Sequence, residues 1–510
     1  MRSNAFNQIE SLYINPSTYG ASVHATNRCT NCHTDIKDAP HPTKLAPVRC
    51  SQCHPKQSSD YLRSDHSHAT SCGASEGGKC RDCHKEPHAI HKTKDARSPV
   101  NRQNISATCA KCHEDVSEVY QRSVHGKALA KGSLNAAICT DCHNAHTITM
   151  VKSTGSPVAP VHLHETCGQC HRAERITTRH RFSQNVIDTY MQSFHGLALR
   201  MGSLTAANCS SCHGIHDVLP SRDPQSPVNK LNLPRTCGKC HPNIGTRLAE
   251  TDFRIHAPPG AADGKPWIVN FIARAYIALI ILIIGGMFLH NALDFAHKLR
   301  IRPRAVRDNT TPARLTPWMR AQHLVLMALF ITLAYTGFVH RFPDAVWSLP
   351  FRCLPNGNDL RALIHHIAGW SFIALFAAHL VLLIGTRAGR GHCHDLWPRR
   401  HDFNDALAML AHNLGRAAAP PPHRRWNYMD KIEYWALIWG SLIMIITGLM
   451  LLFMEPVLRS LPKVCFDLAQ IIHYYEAVLA VLAIVIWHFY WVNFHPHKYP
   501  TPPASSQPSQ

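Results

Sequence analysis

Tyr120-Gln-Arg-Ser123-Val-His125-Gly126 … Cys139-Thr-Asp-Cys142-His143-Asn-Ala-His146 returns 70 residues later as Tyr190-Met-Gln-Ser193-Phe-His195-Gly196 … Cys209-Ser-Ser-Cys212-His213-Gly-Ile-His216. The Cys-x-x-Cys-His within each copy is the attachment signature of a c-type haem. Two thiols add across the vinyl groups, and the adjacent imidazole reaches the iron from one face. Working outward, the chain spells this signature eight times in its first 241 residues. The thiol pairs are Cys29/Cys32, Cys50/Cys53, Cys80/Cys83, Cys109/Cys112, Cys139/Cys142, Cys167/Cys170, Cys209/Cys212 and Cys237/Cys240. The histidines that follow are His33, His54, His84, His113, His143, His171, His213 and His241. Zinc ribbons also use Cys-x-x-Cys pairs but do not demand a histidine after every one, which sets that reading aside.

The haems following the two copies, at Cys167 and Cys237, keep the same offset, and shorter echoes stand at Tyr19…Ser22-Val-His24 and Tyr61…Ser64-Asp-His66. Such a duplicated array suits a wire in which each unit buries one haem face against its neighbour. The macrocycles then supply the apolar core that this polar sequence lacks. Fourteen histidines outside the motifs are available as second ligands. The spacing selects His24, His66, His88, His91, His125, His146, His195 and His216, with His41, His68, His164 and His180 in reserve. Iron held by two imidazoles is six-coordinate, which fits electron transfer rather than bond breaking.

At 510 residues the chain has room for two or three domains. Sixteen of its twenty cysteines belong to the motifs, leaving Cys72, Cys353, Cys393 and Cys465. The formal charge of +20 does not point to nucleic acid. Haem propionates, about two negative charges per macrocycle, offset much of it, and many arginines sit in loops between apolar spans.

Composition changes sharply near residue 265. Before it the chain is rich in Cys, His, Ser and Pro; after it come apolar stretches near 269–293, 318–340, 362–386, 433–454 and 471–493. Each has about the 20 residues that cross a bilayer. The loop after the first stretch carries Lys298, Arg300, Arg302, Arg304, Arg307 and Arg314. The loop after the third carries Arg387, Arg390, Arg399, Arg400, Arg416, Arg424, Arg425 and Lys431. The alternate loops hold only Arg341, Arg352, Arg361, Arg459 and Lys463. By the positive-inside rule this 14-to-5 split puts the basic loops in the cytoplasm of a bacterial inner membrane and residues 1–265 in the periplasm. Haem is attached to c-type cytochromes on that same side. No basic n-region followed by an apolar h-region is visible in residues 1–25, so export is expected to rest on a leader absent from this sequence.

Histidines inside spans are costly and functional. His473 and His488 lie 15 residues apart on the last span, about 22 Å along the axis, which suits two haems stacked across a membrane. By depth, one b haem is expected between His366 and His473 on the periplasmic side, with His365 as an equal contender. The other is expected between His323 and His488, with His379 competing for His323 and His290 left as a quinone contact. Cys353 and Cys465 both fall in periplasmic loops and are expected to form a disulfide. Cys393 is expected to be a free thiol.

Arg320-Ala-Gln-His323 … Thr336-Gly337-Phe338 … Phe342-Pro343-Asp344, followed by His365-His366-Ile-Ala-Gly369, resembles the cytochrome b subunits of formate dehydrogenase and nickel–iron hydrogenase. Ile472-His473-Tyr-Tyr-Glu476-Ala477 … Trp487-His488-Phe-Tyr490 resembles the longer-spaced version in multihaem cytochrome fusions. The whole chain is similar to the periplasmic multihaem c / membrane diheme b fusions of metal-respiring bacteria, which pass electrons from menaquinol to periplasmic carriers. In the formate dehydrogenase relatives an Asn-x-Gly lines the quinone pocket beside the inner haem, and Asn413-Leu-Gly415 is the matching segment here. The departures are an added first span and the covalently joined c-haem domain.

The expected architecture is mainly α. An octahaem c-type domain with little regular secondary structure (1–265) precedes an all-α, five-helix transmembrane diheme b domain (266–495) and a Pro/Ser-rich tail (496–510). The expected cofactors are eight haem c, two haem b and menaquinone/menaquinol. The expected partners are the quinone pool and periplasmic or outer-membrane cytochromes, with the activity that of a quinol-oxidising conduit in anaerobic respiration. The alternatives are the reverse flow, from a periplasmic donor to quinone, and a reductase of a small nitrogen or sulfur substrate. The lack of any Cys-x-x-Cys-Lys weakens the nitrite-reducing form of the latter.

Overall fold

The structure, a computed structural model, describes residues 2–3, 9–10, 13–38, 40, 45–71, 78–180, 183–244, 254–256, 266–301, 317–354, 356–422 and 426–493. His41, Cys72, Arg302, Arg304, Arg307, Arg314, Arg424, Arg425 and the 496–510 tail lie outside the described residues. The chain divides into two units, Met1–Cys240 with Arg254–Asp263, and His241–Phe253 with Gly264–Gln510.

The first unit is more helical than its sequence promised. Most of its described helices are one or two turns long, from Cys29–Cys32 up to the nine-residue Glu114–Arg122 and Leu163–His171. Their ends are set by side chains. Ser123 and Ser193 are N-caps whose hydroxyls accept from the Gly126 and Gly196 amides. A Cβ at Gly126 or Gly196 would meet the carbonyl oxygen of Tyr120 or Tyr190 at 2.2 and 2.3 Å. Glycine is therefore required where one helix turns into the next. Tyr120 and Tyr190 donate to Ala137 O and Ala207 O at 2.8 and 2.7 Å, so the 70-residue repeat extends to its hydrogen bonds.

A further repeat escaped the sequence reading: Ser98-Pro99-Val100, Ser156-Pro157-Val158 and Ser226-Pro227-Val228. Each serine is buried, and each proline carbonyl accepts from a threonine one residue before a motif, Thr108, Thr166 or Thr236. Apolar cores here are small, such as Ile105, Tyr120, Leu129, Ala136 and Ile138.

The second unit holds five helices long and apolar enough to cross a membrane: Trp267–Ile301, Pro317–Arg341, Gly357–Gly385, Tyr428–Leu452 and a fifth that starts at Lys463. The fifth runs as α-helix over Lys463–Ala483, makes a π-turn over Ile484–His488, and resumes over Phe489–Asn493. The basic segment after the third span is not a plain loop. It forms helices Arg387–Leu396 and Arg400–Asn413, the first capped by Thr386. Cys353 and Cys465 are free thiols, so the expected disulfide is absent; Cys353 caps the short helix Leu349–Arg352 while Cys465 lies in the first turn of the fifth span.

Helix Arg400–Asn413 is pinned to the fourth span by a buried ion pair, Lys431 Nζ donating to both Asp402 oxygens at 2.9 Å. Burial works against the Asp402 carboxylate, but hydrogen bonds from Lys431 and the Arg399 amide prevail and hold its pKa below the usual value. The contribution is therefore present at neutral pH and lost as pH falls through that lowered pKa. Lys431→Met strands a buried carboxylate and is expected to cost about 3–5 kcal/mol. Thermal unfolding in detergent checks this, and adding Asp402→Leu should recover most of the loss.

Candidate haem-binding sites

An imidazole nitrogen lies about 2 Å from a metal it ligates and about 1 Å from its ring centre, so an iron between two opposed imidazoles sets the centres about 6 Å apart. Seven of the eight motif histidines face a second histidine at that separation. Ring centres are 6.2 Å apart for His33/His88, His54/His24, His84/His146, His113/His66 and His213/His256, 6.1 Å for His143/His216 and 6.5 Å for His171/His125. Imidazoles in mutual hydrogen bond stand closer, as His297 and His412 do at 4.4 Å. The donor set and the gap fit bis-histidine haem. Burial lowers the pKa of His171 and His213 to about 4, which keeps both rings in the neutral, ligating form.

The partners follow a lacing rule. His24, His66 and His125 stand two residues after Ser22, Ser64 and Ser123, and each faces the motif that follows the one after it. The serine hydroxyls accept from the backbone of the turn that presents the ring, at 3.2 Å for His24 and 3.3 Å for His66. His24 Nδ1–H donates to Pro87 O at 3.1 Å, leaving Nε2 for a metal. The other partners stand just after a motif and face backward. Lys85, Asn144 and Gly214 take positive φ (67°, 64° and 82°) directly after the motif helix, and the chain then brings His88, His146 and His216 round. Those three face His33, His84 and His143.

His91 does not join this scheme. Its Nδ1 lies 3.9 Å from Asp95, and the place expected for it is taken by His256, which sequence reasoning missed. His256 stands fifteen residues after His241, whereas His88, His146 and His216 stand three or four after a motif histidine, so spacing gave no signal for it. Of the reserves, His164 lies beside Glu165 and His180 ends helix Glu174–His180. His68 lies in helix Asp65–Ser71, and His195 lies in the first turn of Phe194–Arg200.

Neighbouring motifs touch in sequence order. The thiols of Cys50 and Cys80, Cys109 and Cys139, and Cys167 and Cys209 are close, interacting neighbours. Cys83 is an electrostatic neighbour of Cys112, Cys142 of Cys167 and Cys170, and Cys212 of Cys237 and Cys240. The second to eighth motifs thus form one file. Cys53 caps the single 3-10 turn Cys50–Gln52, with its amide on Cys50 O at 3.2 Å, and it is exposed. The His54 amide donates to the same Cys50 carbonyl at 2.9 Å, and the His54 ring faces His24.

In the second unit, His323 and His488 face each other with ring centres 6.1 Å apart. His488 Nδ1–H donates to Glu433 at 3.1 Å, a carboxylate–imidazole pairing that leaves Nε2 for a metal. The π-turn explains the spacing. His365 and His379 are 14 residues apart on the third span, whereas His473 and His488 are 15 apart; a π-turn absorbs one residue and restores the face. His379 is bound instead to the Tyr434 hydroxyl at 3.0 Å.

At the other end the ring that faces inward is His365, and this corrects the choice of His366. His365 is an electrostatic neighbour of His473, whereas His366, one residue or about 100° further round the helix, is exposed. The two sites are built alike. Thr336 Oγ1 donates to Thr332 O at 2.7 Å and so accepts from His365 Nδ1 at 2.8 Å. Thr447 Oγ1 donates to Ile443 O at 2.7 Å and accepts from His473 Nδ1 at 2.9 Å. Each threonine fixes the tautomer with Nε2 bare. The glycine after each lets the ring approach: a Cβ at Gly337 or Gly448 would lie 3.6 or 3.3 Å from Cε1 of His365 or His473. Arg361 is buried one turn from His365 with its Nε unpartnered among the described residues, the donor a haem propionate requires. Sequence reasoning passed over it as a loop charge.

At the His488 end, His290 of the first span meets Tyr428 OH at 3.0 Å and lies against Trp487 and Trp491. Asn413 ends helix Arg400–Asn413, buried, with Nδ2 unpartnered among the described residues; the Trp487 indole N–H is likewise buried and unpartnered. Gly415 has φ +74°, with its amide on His412 O and the Arg416 amide on Ala411 O. That is a Schellman C-cap, so Gly415 holds Asn413 in place by ending the helix.

The family model of prokaryotic cytochrome b561 matches residues 314–501. This part of the chain is a membrane-bound electron-transfer domain of b-type haem. The first span lies before the match. No curated protein and no solved structure matches the chain.

Proposed function

We propose that the chain oxidises menaquinol at its b domain and relays the electrons through eight c haems, in the periplasm, to a periplasmic or outer-membrane cytochrome. The observation that carries this reading is the recurrence of the two-imidazole gap in both units, beside thiol pairs in the first and beside a b561 match in the second. Haem supplies a one-electron ferric/ferrous couple; the chain sets position, ligand basicity and access.

Cysteine pairs would hold each c haem, and the seven imidazole pairs would each supply an iron with two ligands, which favours electron transfer over the reductase reading. His195, 70 residues after His125, remains a candidate second ligand by sequence. His365 with His473 and His323 with His488 are the ligands of two b haems. Asn413 Nδ2 and Trp487 Nε1 offer donors to the oxygens of a quinone, and Gly415 positions the former.

Anaerobic addition of a menaquinol analogue to the oxidised protein, following the b and c α-bands separately, tests this. The b band is expected to reduce first and most c haems to follow. If neither responds while a reduced periplasmic donor fills both, the flow runs toward quinone. Asn413→Ala is expected to slow reduction by quinol about tenfold, the ~1.4 kcal/mol of one hydrogen bond, with both bands unshifted.

A further inference from the structure

Toward the His488 end, one face of the first span is polar. His290, Asn291, Asp294, His297 and Lys298 stand at helical spacing there and cover about 12 Å of axis. Every one is engaged. His290 Nε2 meets Tyr428 OH at 3.0 Å, and Asn291 donates to Ile486 O at 2.6 Å. Asp294, buried, accepts from Tyr490 OH at 2.7 Å and pairs with Lys298. His297 Nε2 stands 3.2 Å from His412 Nε2, whose ring donates through Nδ1 to Ala417 O at 3.0 Å. His412 Nε2 is therefore the acceptor and His297 the donor. A polar row within a span is expensive, and anchoring alone would not need four ionisable groups, His290, Asp294, His297 and Lys298, beside the amide of Asn291.

We propose that this face carries protons between the quinol site and the cytoplasmic surface, from His290 through Asp294 to the His297/His412 pair. The inference rests on the quinol reading above. Oxidation of menaquinol breaks two O–H bonds. Its two electrons would pass to one-electron haem acceptors, and two protons must leave a site beside the packed cluster of Tyr428, Met429 and Trp487. His290, packed on Trp487, takes a proton at the quinol end. Asp294 holds the next position, and the His297/His412 pair shares the last. The other charges on this row are Arg300 on the same helix and Asp405 of helix Arg400–Asn413, which acts on Tyr428. The first span thus adds proton handling to a b domain that the family match covers without it.

The test uses the full haem-loaded protein and a menaquinol analogue in H2O and D2O. Asp294→Asn is expected to slow reduction of the b band at least tenfold, to enlarge the solvent isotope effect, and to be rescued by azide, a small permeant proton carrier. Reduction by dithionite and the b-haem spectrum should stay as in wild type. A variant with wild-type rate and isotope effect, or one slowed with neither isotope change nor rescue, overturns the proposal. If Asp294→Asn does not assemble, His290→Gln answers the same question. A wild type that exchanges electrons with neither menaquinol nor menaquinone overturns the quinol reading itself, and the path with it. A wild type that only reduces menaquinone subjects the same variants to the same criteria with proton uptake in place of release.

Discussion

His365→Ala is expected to leave one b haem where the wild type has two, while His366→Ala keeps both. The two residues are adjacent, and hydropathy treats them alike. What separates them is the helix face. His365 is held by Thr336 at 2.8 Å under Gly337 and neighbours His473, whereas the His366 side chain is exposed. Removing a buried ligand leaves the opposite imidazole alone on the iron, and the haem is lost on purification. The pyridine haemochrome b-to-c ratio reads this directly, because the covalent c haems count the protein. Thr336→Val tests the same site one step out. It removes the acceptor for Nδ1–H and is expected to weaken haem retention about 10–100-fold while the ligand stays. Loss of a b haem in His366→Ala with retention in His365→Ala would reverse the assignment.

The spans were legible because twenty apolar residues in a row have one meaning in a membrane protein. The eight Cys-x-x-Cys-His motifs stand out because two thiols and an imidazole within five residues form a compact signature. Second ligands were not so bounded. His88 faces His33 and His216 faces His143, more than fifty residues away in each case, and nothing local ties one to the other. Local chemistry did leave a trace in Ser-x-His, where the hydroxyl caps the turn that aims the ring, and His24, His66 and His125, which carry it, each face a motif histidine. The choice of His91 failed on the same ground: it had spacing but no turn to aim it, and it faces Asp95. Helices Arg387–Leu396 and Arg400–Asn413 were hidden by their charge, since arginines that obey a topology rule read as loop. Lys431, counted there as a loop charge, is buried in an ion pair that no periodicity reveals.

His256→Ala is expected to convert one c haem of the eight from six-coordinate low-spin to five-coordinate high-spin, and His91→Ala to convert none. His256 faces His213 at 6.2 Å with the rings 19° from parallel, and the two burdens on His213, burial and the neighbouring His256 and His171, favour a neutral ring. An iron that loses the His256 imidazole keeps His213 and gains an open position, so a high-spin ferric signal of one equivalent should appear by EPR. Its potential should also rise or fall alone among the eight. The lacing rule makes the result informative beyond one site. If the motifs at His33, His84, His143 and His213 each draw a second ligand from the segment after a later motif, each of them depends on a successor, and the last must recruit a histidine from outside the repeat. His256 lies in that position. A silent His256→Ala with a high-spin signal in His91→Ala would break the rule at its end and return the eight-haem file to an irregular set of ligands.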